Sequence, residues 1–424
     1  MRVFHGLSAV QPVLQGRGGI VATEAQRATV SEIIAAVRAE GDVAVARYSA
    51  RFDGVALDEV VVSENLWAAA EAAVSGELKE AIAHSIARVR AFYQRQPQEG
   101  FVRAEGGAVL GLLTRPLARV ACYIPGGTAP LFSSLIMTAV PAQVAGVPEI
   151  VVATPPRRDG SVAPELLVTA RLLGLSTVYR VGGAQAIAAL AYGTAAIPKV
   201  DKIVGPGNTY VVLAMQQVFG AVGIASLPGP TETLVLADDG ADPEWVAADL
   251  LAQAEHVYAQ AVLVTPSEAL WHRVEAALAR QLATLPTAET ARAGLARGFV
   301  VIVSDLTEGL AVANAYAPEH LCLLVRDPWA MLPKVRHAGG VFLGEHSLEA
   351  LGDYLAGPSH VMPTAGTARF GSALNVRDFQ TVIPLVAASG ELLREIGPAA
   401  AQMARAEGLE AHARAIMSRL KGEE

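Results

Sequence analysis

Four short stretches of the 424-residue chain carry side chains able to hold a metal or move protons. In Gln253-Ala-Glu-His256 an amide and an imidazole stand three residues apart, a spacing that presents both on one side of a helix. Such an oxygen and nitrogen pair can hold zinc when further ligands arrive from elsewhere, and it equally suits a helix end with a structural imidazole. In Ala317-Pro-Glu-His320 a neutral His320 can accept a proton near pH 7, whereas Glu319 needs burial or bound substrate to raise its basicity. The two side chains alternate along an extended segment and need not point together. Glu349 and Asp353, four residues apart, share a helical face, and Gly357-Pro-Ser-His360 follows. Asp353 can give a metal an oxygen ligand, and His360 can touch a polar substrate or a carboxylate that binds the metal; a cap and a polar loop fit the same residues. Glu407 and His412 lie five apart in a terminal helical stretch, which turns them partly away from each other.

The elements that must position these groups read as parallel α/β architecture. From Val120 onward, short strands rich in Val and Ile alternate with amphipathic stretches. The expected strands are Ile150–Ala153, Thr177–Val181, Asp201–Val204, Glu232–Ala237, Ala261–Thr265, Phe299–Ser304, Leu321–Val325 and Gly340–Leu343. Helices are expected between most of them, one starting at Pro243 with Asp242 as its cap. The first hundred residues read mainly as helices, with a turn-rich break at Gly54, Asp58 and Glu59; Val109–Val120 suggests a hairpin, and Pro398–Leu420 one or two helices weakened at Gly408.

Glycine gathers after three of the strands, in Pro125-Gly-Gly127, Val181-Gly-Gly-Ala-Gln185 and Val204-Gly-Pro-Gly-Asn208. Such turns let backbone N–H groups approach a pyrophosphate at a helix N-terminus, and any one of them can also be a tight crossover. No GxGxxG opens a helix after a strand, and no Walker A run is present, so an ordinary Rossmann dinucleotide site is unsupported.

Composition narrows the class. Hydrophobic residues make up 52% and charged residues 17%, which excludes a wholly disordered chain. A formal charge of -8 argues against a nucleic-acid binder. Mean hydropathy is +0.37, yet the apolar runs are broken before the roughly 18 residues a membrane span needs. Cys122 and Cys322 alone do not make a disulfide scaffold. Cys322 reads as a buried inert thiol, and Trp245 and Trp271 as helix packing. The expectation is an enzyme in the cytoplasm, without nucleic-acid or membrane partners.

Read together, the ordered motifs resemble the histidinol dehydrogenase family over nearly the full chain. They are Tyr123-Ile-Pro-Gly-Gly127, Val181-Gly-Gly-Ala-Gln-Ala-Ile-Ala-Ala-Leu190, Lys199-Val-Asp-Lys-Ile-Val-Gly-Pro-Gly-Asn208, Gln253-Ala-Glu-His256, Ala317-Pro-Glu-His320, Gly352-Asp353, Gly366-Thr-Ala-Arg369 and Ala406-Glu-Gly-Leu-Glu-Ala-His412. The resemblance implies oxidation of zinc-bound L-histidinol to L-histidine through an aldehyde-level intermediate, with two NAD. It implies zinc ligands at Gln253, His256, Asp353 and His412, the last from the other subunit of a homodimer with shared active sites. His320 is implied as general base and Glu319 as the group that activates water. The implied substrate contacts are Thr231, Glu349, His360 and Glu407 beside the metal ligands and His320, and the NAD contacts are Tyr123, Gln185 and Asn208. It also implies two related, incomplete Rossmann-like domains: residues 21–122 with 233–372 form one, 123–232 the other, and 1–20 and 373–424 are dimerising portions.

Two positions depart from the family pattern. Thr231 replaces the Ser of Gly-Pro-Ser-Glu, keeping the hydroxyl and adding a methyl, and Val257 replaces the Asp after Gln-Ala-Glu-His. The competing readings are a related zinc- and NAD-dependent dehydrogenase acting on another small alcohol, such as a sulfonated diol, and a noncatalytic ligand-binding protein on the same scaffold.

Overall fold

The computed structural model describes residues 1–20, 22–56, 59–98, 100–126, 130–256 and 258–421. Asp58, Gly127 and Val257, singled out in the sequence, lie outside the described residues. In chain order the strands are β1 (Arg2–His5), β2 (Phe101–Glu105), β3 (Ala108–Pro116), β4 (Arg119–Tyr123), β5 (Glu149–Thr154), β6 (Val178–Arg180) and β7 (Lys202–Val204). They continue as β8 (Gly223–Ile224), β9 (Glu232–Ala237), β10 (Gln260–Thr265), β11 (Phe299–Ile302), β12 (His320–Leu324), β13 (Gly340–Leu343) and β14 (Gln380–Ala388). The chain forms two compact units, Met1–Gln96 with Leu117–Phe379 and Pro97–Pro116 with Gln380–Glu424.

The first unit holds two parallel sheets, one ordered β6-β5-β4-β7-β8 and one ordered β1-β11-β10-β9-β12-β13. Both are buried on two faces, and the side-chain alternation of each strand divides between them. Val120, Cys122, Ile150 and Val152 join a core with the helices Glu64–Ala73, Gly76–Tyr93, Phe132–Val144 and Pro164–Leu172. Ala121, Tyr123, Val151 and Ala153 face the helices Glu24–Glu40, Asp42–Phe52, Gly183–Tyr192 and Thr209–Val218. In the six-stranded sheet Val235, Leu263 and Cys322 face the helices Pro243–Ala254, Glu268–Leu282 and Ala288–Arg297. Leu234, Val262 and Leu321 face Gly6–Gln15 and Leu306–Tyr316. Each large side chain buried in this way contributes about 1.5–3 kcal/mol, and a one-residue slip would exchange both faces of a strand at once.

The helices of residues 24–93 pack with the five-stranded sheet, Val361 and Leu374 join the core around Gly76–Tyr93, and β1 extends the six-stranded sheet by pairing with β11. The reason is local: the apolar stripes of the early helices cover β4 and β5, the next long buried strands of the same first unit.

Asp242 caps the helix Pro243–Ala254 by accepting from Glu244 N at 2.8 Å, with Pro243 at its first position, as the sequence predicts. The expected hairpin within Val109–Val120 is different. β3 and β4 belong to separate sheets, and β3 turns back on β2 through Gly106-Gly107, both at positive φ. The second unit consists of the antiparallel sheet β14-β3-β2 and the helices Gly390–Ala406 and Glu410–Lys421, separated at Glu407-Gly408. Among the described residues no helix is long and apolar enough to cross a membrane.

Candidate functional site

The site is built where strands of the six-stranded sheet begin. Helix Leu306–Tyr316 ends at Ala317, which adopts a left-handed conformation (φ 51°) immediately before Pro318-Glu319-His320. A non-glycine residue there costs on the order of 1–3 kcal/mol, so the buried turn is held by its surroundings. It delivers Glu319 and His320, 6% and 4% exposed, to the start of β12 beside the start of β9. Tyr258 and Ala365 are the other non-glycine residues at positive φ among the described residues; Tyr258 lies two residues beyond His256.

Glu319 Oε2 accepts from Thr231 Oγ1 at 2.6 Å and from Glu232 N at 3.0 Å. These bonds favour the carboxylate, but burial dominates and pushes the Glu319 carboxyl well above its ordinary value. His320 Nδ1 lies 3.2 Å from the carbonyl oxygen of Glu232. A carbonyl only accepts, so Nδ1 carries the proton and Nε2 keeps a lone pair. Nε2 is buried with no hydrogen-bond partner. Burial also pulls the imidazole below its usual range, which keeps it neutral with the Nε2 lone pair available. Glu349, 3% exposed, brings Oε2 within 3.9 Å of His320 Nδ1, and burial raises its carboxyl to about 8. The thiol of Cys322 is fully buried and pushed up by that burial, which fits an inert side chain. Trp271 packs in the core as expected, while Trp245 is 44% exposed and does not.

The expected metal-binding side chains of the first unit come from neighbouring elements. Gln253 sits in the last turn of Pro243–Ala254, 2% exposed, with Nε2 unpartnered. His256 follows in an exposed turn, its N–H donating to the Gln253 carbonyl at 3.3 Å. Asp353 lies in the short helix Glu349–Tyr354, and its Oδ1 stands 3.7 Å from His360 Nδ1. Burial lowers the His360 imidazole, the negative charge of Asp353 opposes that shift, and His256 reinforces it. His360 Nδ1 also lies 3.0 Å from the Asp353 carbonyl, and its Nε2 3.0 Å from Ser134 Oγ near the start of Phe132–Val144. Among the described residues no group of three His, Cys, Asp or Glu side chains stands close enough to share a metal. The expected set draws only His256 and Asp353 of those types from the first unit, with Gln253 supplying an amide. Glu407, at the end of Gly390–Ala406, and His412, in Glu410–Lys421, belong to the second unit.

The glycine loops follow strand ends of the five-stranded sheet. Gly205 has φ 124°, and a Cβ there would come within 2.0 Å of the Tyr123 carbonyl oxygen, so only glycine permits the close approach of the β4 and β7 ends. Tyr123 is buried, its hydroxyl accepts from Gly183 N at 3.1 Å, and burial pushes the phenol to about 12. Gln185, 1% exposed, leaves both amide atoms unpartnered. Asn208 caps the helix Thr209–Val218, accepting from Tyr210 N and Val211 N at 3.0 and 3.1 Å.

Sequence reasoning missed Ser134, Glu232 and Arg17, which join this site through hydrogen bonds. Their contacts span hundreds of residues or run through the backbone, so no local spacing marks them. Only the Glu at the end of Gly229-Pro-Thr-Glu232 offered a signal.

A family model described as histidinol dehydrogenase matches residues 19–420. A histidinol dehydrogenase of Deinococcus radiodurans is 60% identical over 395 residues, covering 92% of this chain and 90% of that protein. One from Thermus thermophilus is 54% identical over 388 residues, covering 91% and 93%. A solved histidinol dehydrogenase of Elizabethkingia anophelis superposes with a TM-score of 0.94 at 36% identity, covering 99% of this chain and 98% of that one. An acetylating aldehyde dehydrogenase from Geobacillus thermoglucosidasius, 14% identical with a TM-score of 0.51 and coverage of 90% and 94%, shares the fold alone.

Proposed function

The chain belongs to the histidinol dehydrogenase family, and on that premise we propose that the site at the starts of β9 and β12 oxidises L-histidinol twice, through the aldehyde level, to L-histidine. The observation that carries this reading is the buried His320, with Nδ1 held at the Glu232 carbonyl, Nε2 free to accept, and the carboxyl of Glu319 beside it.

His320 Nε2 takes the alcohol proton as the carbinol carbon gives up a hydride. The imidazolium that results has Glu319 Oε2 and Glu349 Oε2 each 3.9 Å from Nδ1, and either carboxyl, when ionised, offsets its charge in the water-poor interior. Glu319, oriented by Thr231 and Glu232 N, removes a proton from water as it adds to the aldehyde. His320, again neutral, takes the hydroxyl proton of the hydrate in the second oxidation. The methyl of Thr231 leaves its hydroxyl free to make the 2.6 Å bond to Glu319, so replacement of the family's Ser keeps this support. His360, joined to Ser134 and Asp353, orients the polar end of the substrate, together with Glu349.

Gln253, His256, Asp353 and a partner subunit's copy of residue 412 would hold zinc. The Asp353 carboxylate beside the His360 imidazole, with the buried side chain of Gln253 able to offer its amide oxygen, suits an ion that takes nitrogen and oxygen ligands. When bound, zinc orients the substrate through its amino and imidazole nitrogens. Tyr123, Gln185 and Asn208 would line the NAD site; the open amide of Gln185 and the glycine-permitted approach at Gly205 fit a dinucleotide. NAD accepts one hydride per oxidation, so two are consumed.

The homodimer is part of the same reading. Val386 and Met403 of the second unit are 71% and 68% exposed, and most of β14 is exposed, apolar surface suited to a second copy. Glu407 and His412 would then reach the partner's site, and residence in the cytoplasm follows from the biosynthetic role. The test is NADH yield from limiting L-histidinol with zinc-loaded protein: two NADH and one L-histidine per substrate support the reading. No NADH above the enzyme-free control contradicts it, and turnover of a sulfonated diol instead would favour the related-alcohol reading.

A further inference from the structure

We infer that Arg17 is a positioning residue for the proton-transfer pair, a brace that fixes the starts of β9 and β12 to each other. The inference rests on the roles proposed above for Glu319 and His320. Arg17 lies just beyond the helix Gly6–Gln15, and its side chain is 9% exposed. Its guanidinium works in three directions at once. Nη2 donates to Glu232 Oε1 at 2.5 Å, Nη1 to Gln260 Oε1 at 3.1 Å, and Nε to the Tyr316 carbonyl at 3.1 Å. Its plane also lies over the Tyr316 ring, 3.4 Å from the centroid. The Tyr316 hydroxyl closes the network, donating to Gln260 Oε1 at 2.6 Å and reaching Glu232 Oε2 at 3.4 Å.

Beside Thr231, Glu232 and Tyr316 help to set the pair. The backbone N–H of Glu232 holds Glu319 Oε2, and its carbonyl fixes the His320 tautomer. Tyr316 is the last residue before the left-handed Ala317, from which Pro318, Glu319 and His320 run directly into β12. One guanidinium therefore ties both ends of the scaffold on which the base and the carboxylate stand. Burial raises the Glu232 carboxyl and Arg17 opposes that shift, so loss of the cation leaves a buried acid held only by its neutral contacts with Tyr316 and the Ala365 backbone. Lysine offers a single point charge and cannot reproduce the fork.

The test compares wild type with Arg17→Lys, both zinc-loaded, in histidinol oxidation and in side-chain nitrogen NMR of His320. The brace predicts that kcat falls about 10²-fold, since a shift near 1 Å is enough for such a loss, while KM for histidinol moves by less than about threefold. It also predicts that the single Nδ1–H tautomer of wild type gives way to a mixture. A folded Arg17→Lys with kcat within about twofold of wild type and an unchanged His320 tautomer overturns the inference. If Arg17→Lys does not fold, Glu232→Gln decides. A matching kcat loss at nearly unchanged KM supports the brace, and a normal kcat overturns it. Wild type inert toward histidinol would instead defeat the proposed function, and the tautomer comparison would still test the brace.

Discussion

The five-stranded sheet, ordered β6-β5-β4-β7-β8, and the β11-β10-β9-β12-β13 part of the six-stranded sheet each run three strands one way and then switch sides. Their reactive residues nevertheless lie at opposite strand ends. In the first sheet Gly126, Gly183 and Gly205 follow the C-terminal ends of β4, β6 and β7, where helices such as Gly183–Tyr192 begin. In the second, Thr231, Glu232, Glu319 and His320 stand at the N-terminal starts of β9 and β12, and His256 precedes β10. There the helices Pro243–Ala254 and Leu306–Tyr316 end. Helix beginnings carry partial positive charge and unsatisfied N–H groups, whereas helix ends carry partial negative charge. One edge therefore suits a pyrophosphate, and the other a metal cation and an imidazolium. Under the proposed function the same strand order would serve two ligand chemistries, each sheet offering a different edge.

The comparison is broken most severely at the second edge. His320→Asn removes the lone pair that Nε2 offers, and kcat for NADH formation is expected to fall by about 10²–10⁴, with zinc content and fold retained. Near-normal turnover would show that the base lies elsewhere. Glu319→Gln keeps an oxygen for Thr231 and Glu232 N but loses the basic carboxylate. It is expected to leave alcohol oxidation and to lower the yield from two NADH per histidinol toward one, read from a limiting-substrate progress curve.

A pH series sharpens the same contrast. Burial holds the Glu319 carboxyl above its usual value and the His320 imidazole below its own. As pH falls, Glu319 is protonated at a higher pH than a free glutamate, and His320 stays neutral to a lower pH than a free histidine. In single-turnover kinetics the aldehyde oxidation should therefore lose rate above the ordinary glutamate range, and the alcohol oxidation should persist below the ordinary histidine range. At the first edge, Gly205→Ala forces a Cβ toward the Tyr123 carbonyl from a positive φ. It is expected to destabilise by about 1–3 kcal/mol and to raise KM for NAD with zinc affinity unchanged, as thermal unfolding and metal titration would report.

The smallest expected effect concerns Glu349, whose carboxyl is raised in the folded protein to about 8. A raised carboxyl contributes stability that is fully present below its unfolded value and is lost as pH rises through its folded value. Glu349→Gln should therefore raise Tm of the metal-free protein at pH 8 but not at pH 4, by differential scanning calorimetry.

Much of this arrangement was legible in the residues. The buried parallel strands announced themselves as Val- and Ile-rich runs, Asp242-Pro243 marked a helix start, and Gly408 marked the break between the last two helices. The pairing of Glu319 with His320 was legible as composition but not as geometry. Their side chains meet the same Glu232 backbone, which no spacing encodes. β1 escaped notice because it is four residues long and mostly exposed, and its partner β11 lies almost three hundred residues away. β14 escaped because it is exposed along most of its length and contains Pro384, which erase the pattern of a half-buried strand. Arg17 was invisible for the same reason as Ser134: a single polar residue acquires its role only from long-range partners.

The most direct test is a crystal structure of the zinc-loaded protein with L-histidinol and NAD. The account predicts substrate nitrogens about 2.0–2.1 Å from zinc beside Gln253, His256 and Asp353, the substrate hydroxyl at His320 Nε2, and the pyrophosphate at the glycine loops after β4, β6 and β7. A dinucleotide seated at the C-terminal ends of β9 and β12, or a substrate without nitrogen contact to zinc, would contradict it.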